Sequence, residues 1–189
     1  LLAILVLTLC LTTPSQADDI RDFQIEGMSI GDSALDYFSE KEIKNGKKYK
    51  FKNNEFSAIE FIKLNFFKVY DNIQIGFKTN DQKLELHAVE GLIFYKKNIK
   101  KCIKKIDEVE KELSEVFKNT KNTKKTTYQH PADKSGKSKI TDVQFYFKNG
   151  AAVQVACYDW SKKIKYTDNF RISLRTKKYK DFLVNKAFK

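Results

Sequence analysis

Residues 98 to 118 carry the strongest periodicity in the chain: Cys102, Ile106, Val109, Leu113 and Val116 recur at spacings of four and three, with Ile99, Ile103 and Phe117 widening the stripe. Side chains so spaced share one face of a helix, so the segment predicts an amphipathic helix that needs an apolar surface to cover. That surface comes later in the chain. Val143, Phe145 and Phe147 alternate before Lys148-Asn149-Gly150, and Ala151, Val153, Val155 and Cys157 alternate after it. A two-residue turn at Asn149-Gly150 would pair Phe147 with Ala152 and put the two apolar sets on opposite faces. A three-residue turn with a left-handed Gly150 and a bulge pairs Phe147 with Ala151 and Phe145 with Val153, turning both sets to the core. Cys102 then lies on the buried face of its helix and Cys157 on the buried face of its strand. The two sulfurs meet if this helix packs across this strand.

The remaining elements follow from local patterns. Ser29 and Asp32 have capping-box spacing, and Ile30, Ala34, Leu35 and Phe38 share a helical face, which predicts a first helix over about 29 to 41. Residues 56 to 65 fit a strand or a helix. Ile73, Ile75 and Phe77 alternate with polar residues, and Leu84, Leu86, Ala88, Leu92 and Phe94 occupy even positions, which reads as a hairpin with one buried face. Residues 119 to 139, polar and lysine-rich with Pro131 and Gly136, read as a long mobile loop. Phe170, Ile172 and Leu174 alternate as a last strand. Lys177 to Phe188 reads as a closing helix with Phe182, Leu183 and Phe188 inward. The order helix, strands, helix, strands, helix predicts an α+β fold, an antiparallel sheet with helices on one face, from two coarse α-β-β-β units at 18–95 and 96–189 within one domain.

The apolar run from Leu1 to Leu11, followed by Ser15 and Ala17 in an A-x-A-like pattern, reads as a secretory signal peptide over 1–17, cleaved before Asp18. It is too short to span a bilayer, and no other segment of the mature chain reads as a transmembrane one. Lipidation at Cys10 is disfavoured, because Leu9 stands where that processing wants a small residue. The expected address is the periplasm or the outside. There, Cys102 and Cys157 form an even pair and predict one disulfide. The net charge of +12 is almost all lysine, since Arg21, Arg171 and Arg175 are the only arginines. That imbalance argues against nucleic acid, which favours the bidentate guanidinium. An AT-rich genome or an anionic surface would each account for the lysines.

Three candidate sites stand out. Lys96, Lys97, Lys100, Lys101, Lys104 and Lys105 cluster at the start of the 98–118 helix, where cations oppose the helix dipole. They read as a solvated helix end, or as an anion site for phosphate or a lipid headgroup. Trp160 with Tyr158, Asp159 and Tyr166 reads as a plug at the end of the core, or as an aromatic cluster that stacks on a sugar or anchors an envelope protein. His130, Asp133 and Ser135 can be named as a triad, but adjacent loop residues lack the packing that holds a catalytic base. His87 falls on the polar side of its strand and reads as a surface histidine. Zinc would need both thiolates that the disulfide consumes. No cofactor motif is present.

The Gly27-Met28-Ser29 turn, the repeated helix-then-meander order and the export signal resemble the β-lactamase-inhibitor-like modules of small envelope and secreted proteins. Tyr158-Asp159-Trp160-Ser161 and Thr167-Asp168-Asn169 also resemble stretches of uncharacterised lysine-rich exported bacterial proteins. The first resemblance implies a non-catalytic binding or scaffolding role, with a concave sheet as the docking surface. The expected function is therefore a non-enzymatic interaction module of the cell envelope, or else a carrier or sensor of a small anionic ligand.

Overall fold

The computed structural model describes residues 19–96 and 98–189, so the segment 1–17 expected to be a signal peptide, with Cys10, and Lys97 lie outside the described residues. The strands are β1 (Lys47–Tyr49), β2 (Phe56–Ile62), β3 (Asn72–Lys78), β4 (Ala88–Phe94), β5 (Lys121–Asn122), β6 (Thr126–Gln129), β7 (Lys139–Tyr146), β8 (Ala152–Asp159) and β9 (Asn169–Arg175). The α-helices are α1 (Glu40–Asn45), α2 (Ile99–Val116) and α3 (Lys177–Asn185). Among the described residues the nine strands form one antiparallel sheet in the order β1-β2-β3-β4-β9-β8-β7-β5, with β6 also paired to β7. Two meanders, β2-β3-β4 and β7-β8-β9, thus join through their last strands, and the fold is α+β.

Each face of this sheet is decided by transverse rows of paired residues. One row reads Ile59, Ile75, Val89, Leu174, Val153, Phe145, and the next Phe61, Ile73, Gly91, Ile172, Val155, Val143. These side chains form the main core under α2, whose Cys102, Ile106, Val109 and Leu113 are buried against them. Cys102 and Cys157 are joined by a disulfide with their Cα atoms 5.9 Å apart. The bulged hairpin has the expected register: Phe145 pairs with Val153, Phe147 N donates to Ala151 O, and Gly150 has φ +81°.

Several sequence expectations are corrected. No long helix occupies 29–41. Ser29 N donates to Asp32 Oδ2 at 2.8 Å, one half of the expected capping box. The Ser29 hydroxyl, however, donates to Arg21 O and Phe23 O instead of capping a helix. Gly31 has φ +95°, and Gly31 N and Ala34 N donate to Leu86 O and Leu84 O, so the segment runs alongside the approach to β4. Only a short 3-10 turn, Ala34–Asp36, forms there, and α1 starts later under a Ser39–Glu42 capping box. Gly27-Met28 belongs to a tight reverse turn, with Glu26 and Gly27 both at positive φ between the paired Ile25 and Met28.

The stretch 56–65 resolves as strand β2, and 119–139 carries β5 and β6, both edge pieces on β7. In β4 the core-facing positions are the odd ones, Val89 and Gly91, because register with Ile75 and Ile73 requires it; Leu92 and Phe94 face the other way. His87 is 7 % exposed, not a surface residue, with Nδ1 3.1 Å from Thr176 Oγ1 and its ring edge-on to Phe56. Burial pushes its imidazole below the ordinary value. While α2 covers the core face, α3 lies on the opposite face, where Tyr179 and Phe182 pack with Phe56 and Ala88. Gly76 makes this possible, since a Cβ there would stand 2.6 Å from the Tyr179 ring.

Candidate ligand-binding cleft

The sheet face opposite α2 is polar where a solvated face would be expected, and it is buried. Across seven strands runs the row Lys47, Glu60, Gln74, Glu90, Ser173, Gln154, Gln144, each paired with the next. Glu60, Gln74, Glu90, Ser173 and Gln154 are all buried. Beside it run Asn72, Leu92, Arg171, Ala156, Asp142 and then Asn169 with Tyr158. These rows floor a cavity of about 1140 Å³, roofed on one side by Tyr179, Lys180 and Leu183 of α3.

Three charged clusters organise the floor. At the centre, Arg171 Nη1 donates to Glu90 Oε2 (2.7 Å) and Arg175 Nε to Glu90 Oε1 (2.9 Å). Burial by itself would raise the Glu90 carboxyl, but the two guanidiniums outweigh it and hold the carboxyl below its usual range. One acid facing two arginines leaves an excess of positive charge in this central cluster. On the β2 side, Glu60 accepts from Tyr49 Oη and Asn72 Nδ2 and lies 3.5 Å from Lys47 Nζ. On the β7 side, Asp142 accepts from Tyr128 Oη (3.1 Å), Gln144 Nε2 (2.8 Å) and Gln154 Nε2. Burial and these carboxylates push the Tyr49 and Tyr128 hydroxyls upward, so both stay protonated donors.

Aromatic rings surround the mouth. Trp160 touches Tyr166 (ring centroids 5.0 Å) and His130 (4.5 Å), His130 reaches Phe188 (6.0 Å), and Phe188 reaches Phe51 (6.0 Å). Tyr166 closes the chain onto Tyr49 at 6.4 Å, two residues before Phe51. All six line the cavity. Behind Trp160, Tyr158 carries the Arg171 guanidinium 4.4 Å from its ring centroid. Six lysines and two arginines line the cavity against Glu60 and Glu90, both already engaged, and Asp142, the third buried acid of the floor, spends its oxygens on Tyr128, Gln144 and Gln154. The free charge facing a ligand is therefore positive.

Among the described residues, four buried side-chain polar atoms lack a hydrogen-bond partner: Gln154 Oε1, Asn169 Oδ1, Arg171 Nε and Ser161 Oγ. The first three belong to residues of the cavity floor. A buried orphan of this kind costs about 1–3 kcal/mol, a cost a bound ligand would offset.

The aromatic candidates Tyr158, Trp160 and Tyr166 come together in this cleft. The lysines do not. Lys100, Lys101 and Lys104 are exposed at the start of α2, on the far side of the sheet, where Asn98 Oδ1 accepts from Lys101 N (3.2 Å) and so caps the helix; Lys96 is exposed before it. His130 lies on the cleft wall, and its neighbours do not form a relay. Asp133 accepts from Ser138 N, Ser138 Oγ and Ser135 N, while His130 Nδ1 accepts from Ala132 N. Burial, helped by the nearby Arg171 charge, lowers the His130 imidazole to about 4, so it is neutral at neutral pH. Among the described residues no group of His, Cys, Asp or Glu is placed to hold a metal ion, and no helix is long and apolar enough to cross a membrane.

Sequence reasoning missed Glu60, Glu90, Asp142, Gln154, Asn169, Arg171 and Arg175. A signal was available: in a chain with 36 lysines and arginines, of which three are arginine, the cleft-facing positions of β2 to β4 and β7 to β9 carry a single lysine, Lys78 at the exposed end of β3, but two of the three arginines. The chain matches no protein-family model, no curated protein and no solved structure, so the functional reading rests on this geometry.

Proposed function

We propose that this is an exported, non-catalytic binding protein whose cleft takes a small organic anion. The observation that carries the reading is the pair Arg171 and Arg175, buried at the floor of an open cavity around one shared acid, with Arg171 Nε left without a partner. Arginine is the side chain best shaped to present a fixed fork to a carboxylate or phosphate. The aromatic collar suits an apolar or planar body attached to that anion. The disulfide supports an oxidising compartment, in keeping with export. The anionic-ligand role thus moves from the lysines of α2 to the cleft, and the collar around a concave floor favours a small molecule over a docked protein surface.

The test is a titration of isotope-labelled protein with a library of small organic carboxylates and phosphates, read by NMR. Shifts centred on the Arg171 Nε–H, the Trp160 indole and the Asn169 and Gln154 side chains are expected. Shifts centred on Lys100, Lys101 and Lys104, or none at all, would refute the reading.

A further inference from the structure

We infer that the ligand is an acidic saccharide, an anion carried on a hydroxyl-bearing ring, and one of more than a single sugar unit. This rests on the proposed cleft function and narrows it.

The polarity of the orphaned atoms carries the argument. Gln154 spends its Nε2 on Asp142 and Asn169 donates its Nδ2 to Thr167 O, so each is oriented with its oxygen left over. Those oxygens require donors. A bare carboxylate has none and would satisfy only Arg171 Nε, and the one or two hydroxyls of a free phosphate ion sit on a single small centre, too close together to serve both oxygens and the arginine. The third orphan is a donor, so the complementary ligand brings donors and an acceptor to neighbouring points of one surface. Asn169 and Arg171 stand two apart on the same face of β9, and Gln154, paired with Ser173, lies diagonally beside Arg171. A ligand amine could supply donors, but it would bring a cation beside two guanidiniums. Hydroxyl groups supply donors without charge.

The wall argues in the same direction. Trp160, Tyr158 and His130 present rings on one side of this polar strip, and a pyranose offers an apolar C–H face to rings and hydroxyls to the strip around its edge. A fatty acid or aromatic acid would suit the collar but leave Gln74, Gln154 and Asn169 facing a hydrocarbon, which burial penalises. Size completes the inference, since about 1140 Å³ exceeds what one hexose fills and lies just above the usual range of small-ligand sites.

Calorimetric titration of the intact, disulfide-bonded protein with trigalacturonate, its methyl ester, maltotriose, glucose 6-phosphate and benzoate tests this. Trigalacturonate is expected to bind at least tenfold more tightly than its uncharged methyl ester, maltotriose or benzoate. Glucose 6-phosphate binding more tightly than trigalacturonate would overturn the multi-unit claim while assigning the anion to a sugar phosphate. Asn169→Ala and Gln154→Ala should each weaken trigalacturonate several-fold while benzoate is unchanged; each also removes a donor, from Thr167 O and Asp142 respectively, so unchanged benzoate binding on the same samples reports that the cleft is still folded. Lys100→Gln should change nothing. Equal binding of ester and acid, tighter binding of benzoate, or no binding by either sugar acid would overturn the saccharide. If organic anions still shift the Arg171 and Trp160 signals in that last case, the cleft function survives without it.

Discussion

The guanidinium of Arg171 lies 4.4 Å from the centroid of the Tyr158 ring, and its Nη1 donates to Glu90 Oε2 at 2.7 Å. One arginine is thereby stacked on a wall and anchored to the floor, with Nε as its unpartnered donor. Arg171→Lys keeps a charge but loses both the planar stack and the fork, so affinity for an anion in the cleft should fall at least tenfold while thermal stability changes little by comparison. Calorimetry and a melting curve on the same sample separate the two.

Glu90 holds two buried arginines and is itself 2 % exposed. Glu90→Gln removes the only acid in contact with either guanidinium among the described residues, and leaving buried charge uncompensated costs about 3–5 kcal/mol. Urea unfolding should show a loss of that order. A change below 1 kcal/mol would mean that the arginines are solvated by the cleft.

The hairpin and the disulfide were legible in the sequence for one reason: both follow from alternation on a face that touches the core. Register left no freedom at Phe147 and Ala151 once Phe145 and Val153 had to face inward together. The cleft escaped because Gln74, Glu90, Gln154 and Asp142 occupy the alternate positions, where polar residues ordinarily mean water. Only the second cover, α3 seated on Gly76, distinguishes a solvated face from a polar floor. The Ser29 start signal misled for a comparable reason. Its spacing to Asp32 is real and makes a hydrogen bond, but tertiary partners at Arg21, Phe23, Leu84 and Leu86 took the backbone elsewhere.

Gly150 supplies the left-handed residue of the β7–β8 turn at φ +81°. An alanine there would be strained, with its Cβ 2.7 Å from Lys177 Cδ, a flexible group able to move aside. Gly150→Ala should therefore cost about 1 kcal/mol, read from denaturant midpoints at unchanged slope. No loss would contradict the bulged turn.

The Cys102–Cys157 bond closes 55 residues of sequence between α2 and β8. Replacing both cysteines by alanine should cost about 2–4 kcal/mol, and the native oxidised protein should show no reactive thiol from this pair. Two titratable thiols would contradict the bond.

Acid stability gives a signed test. His130 is neutral when folded, with its pKa lowered to about 4 by burial and by Arg171, against about 6.5 unfolded. The unfolded chain thus binds the extra proton first. Stability is fully present above pH 6.5 and declines as pH falls toward 4, by on the order of 3 kcal/mol. His130→Gln should flatten that decline. His87, also lowered by burial, leaves part of it in place.

The central claim, an open cleft with a positive interior, is best read through Trp160, the only tryptophan in the chain. Quenching of its fluorescence by iodide and by caesium should be measured in native protein, in urea-unfolded protein and in Arg171→Gln. The same net charge is present in native and unfolded chains, so the comparison isolates the cleft. The account predicts an iodide-to-caesium quenching ratio higher in the native than in the unfolded protein, and lowered again in Arg171→Gln. A native ratio equal to or below the unfolded one, or one indifferent to Arg171, would contradict it.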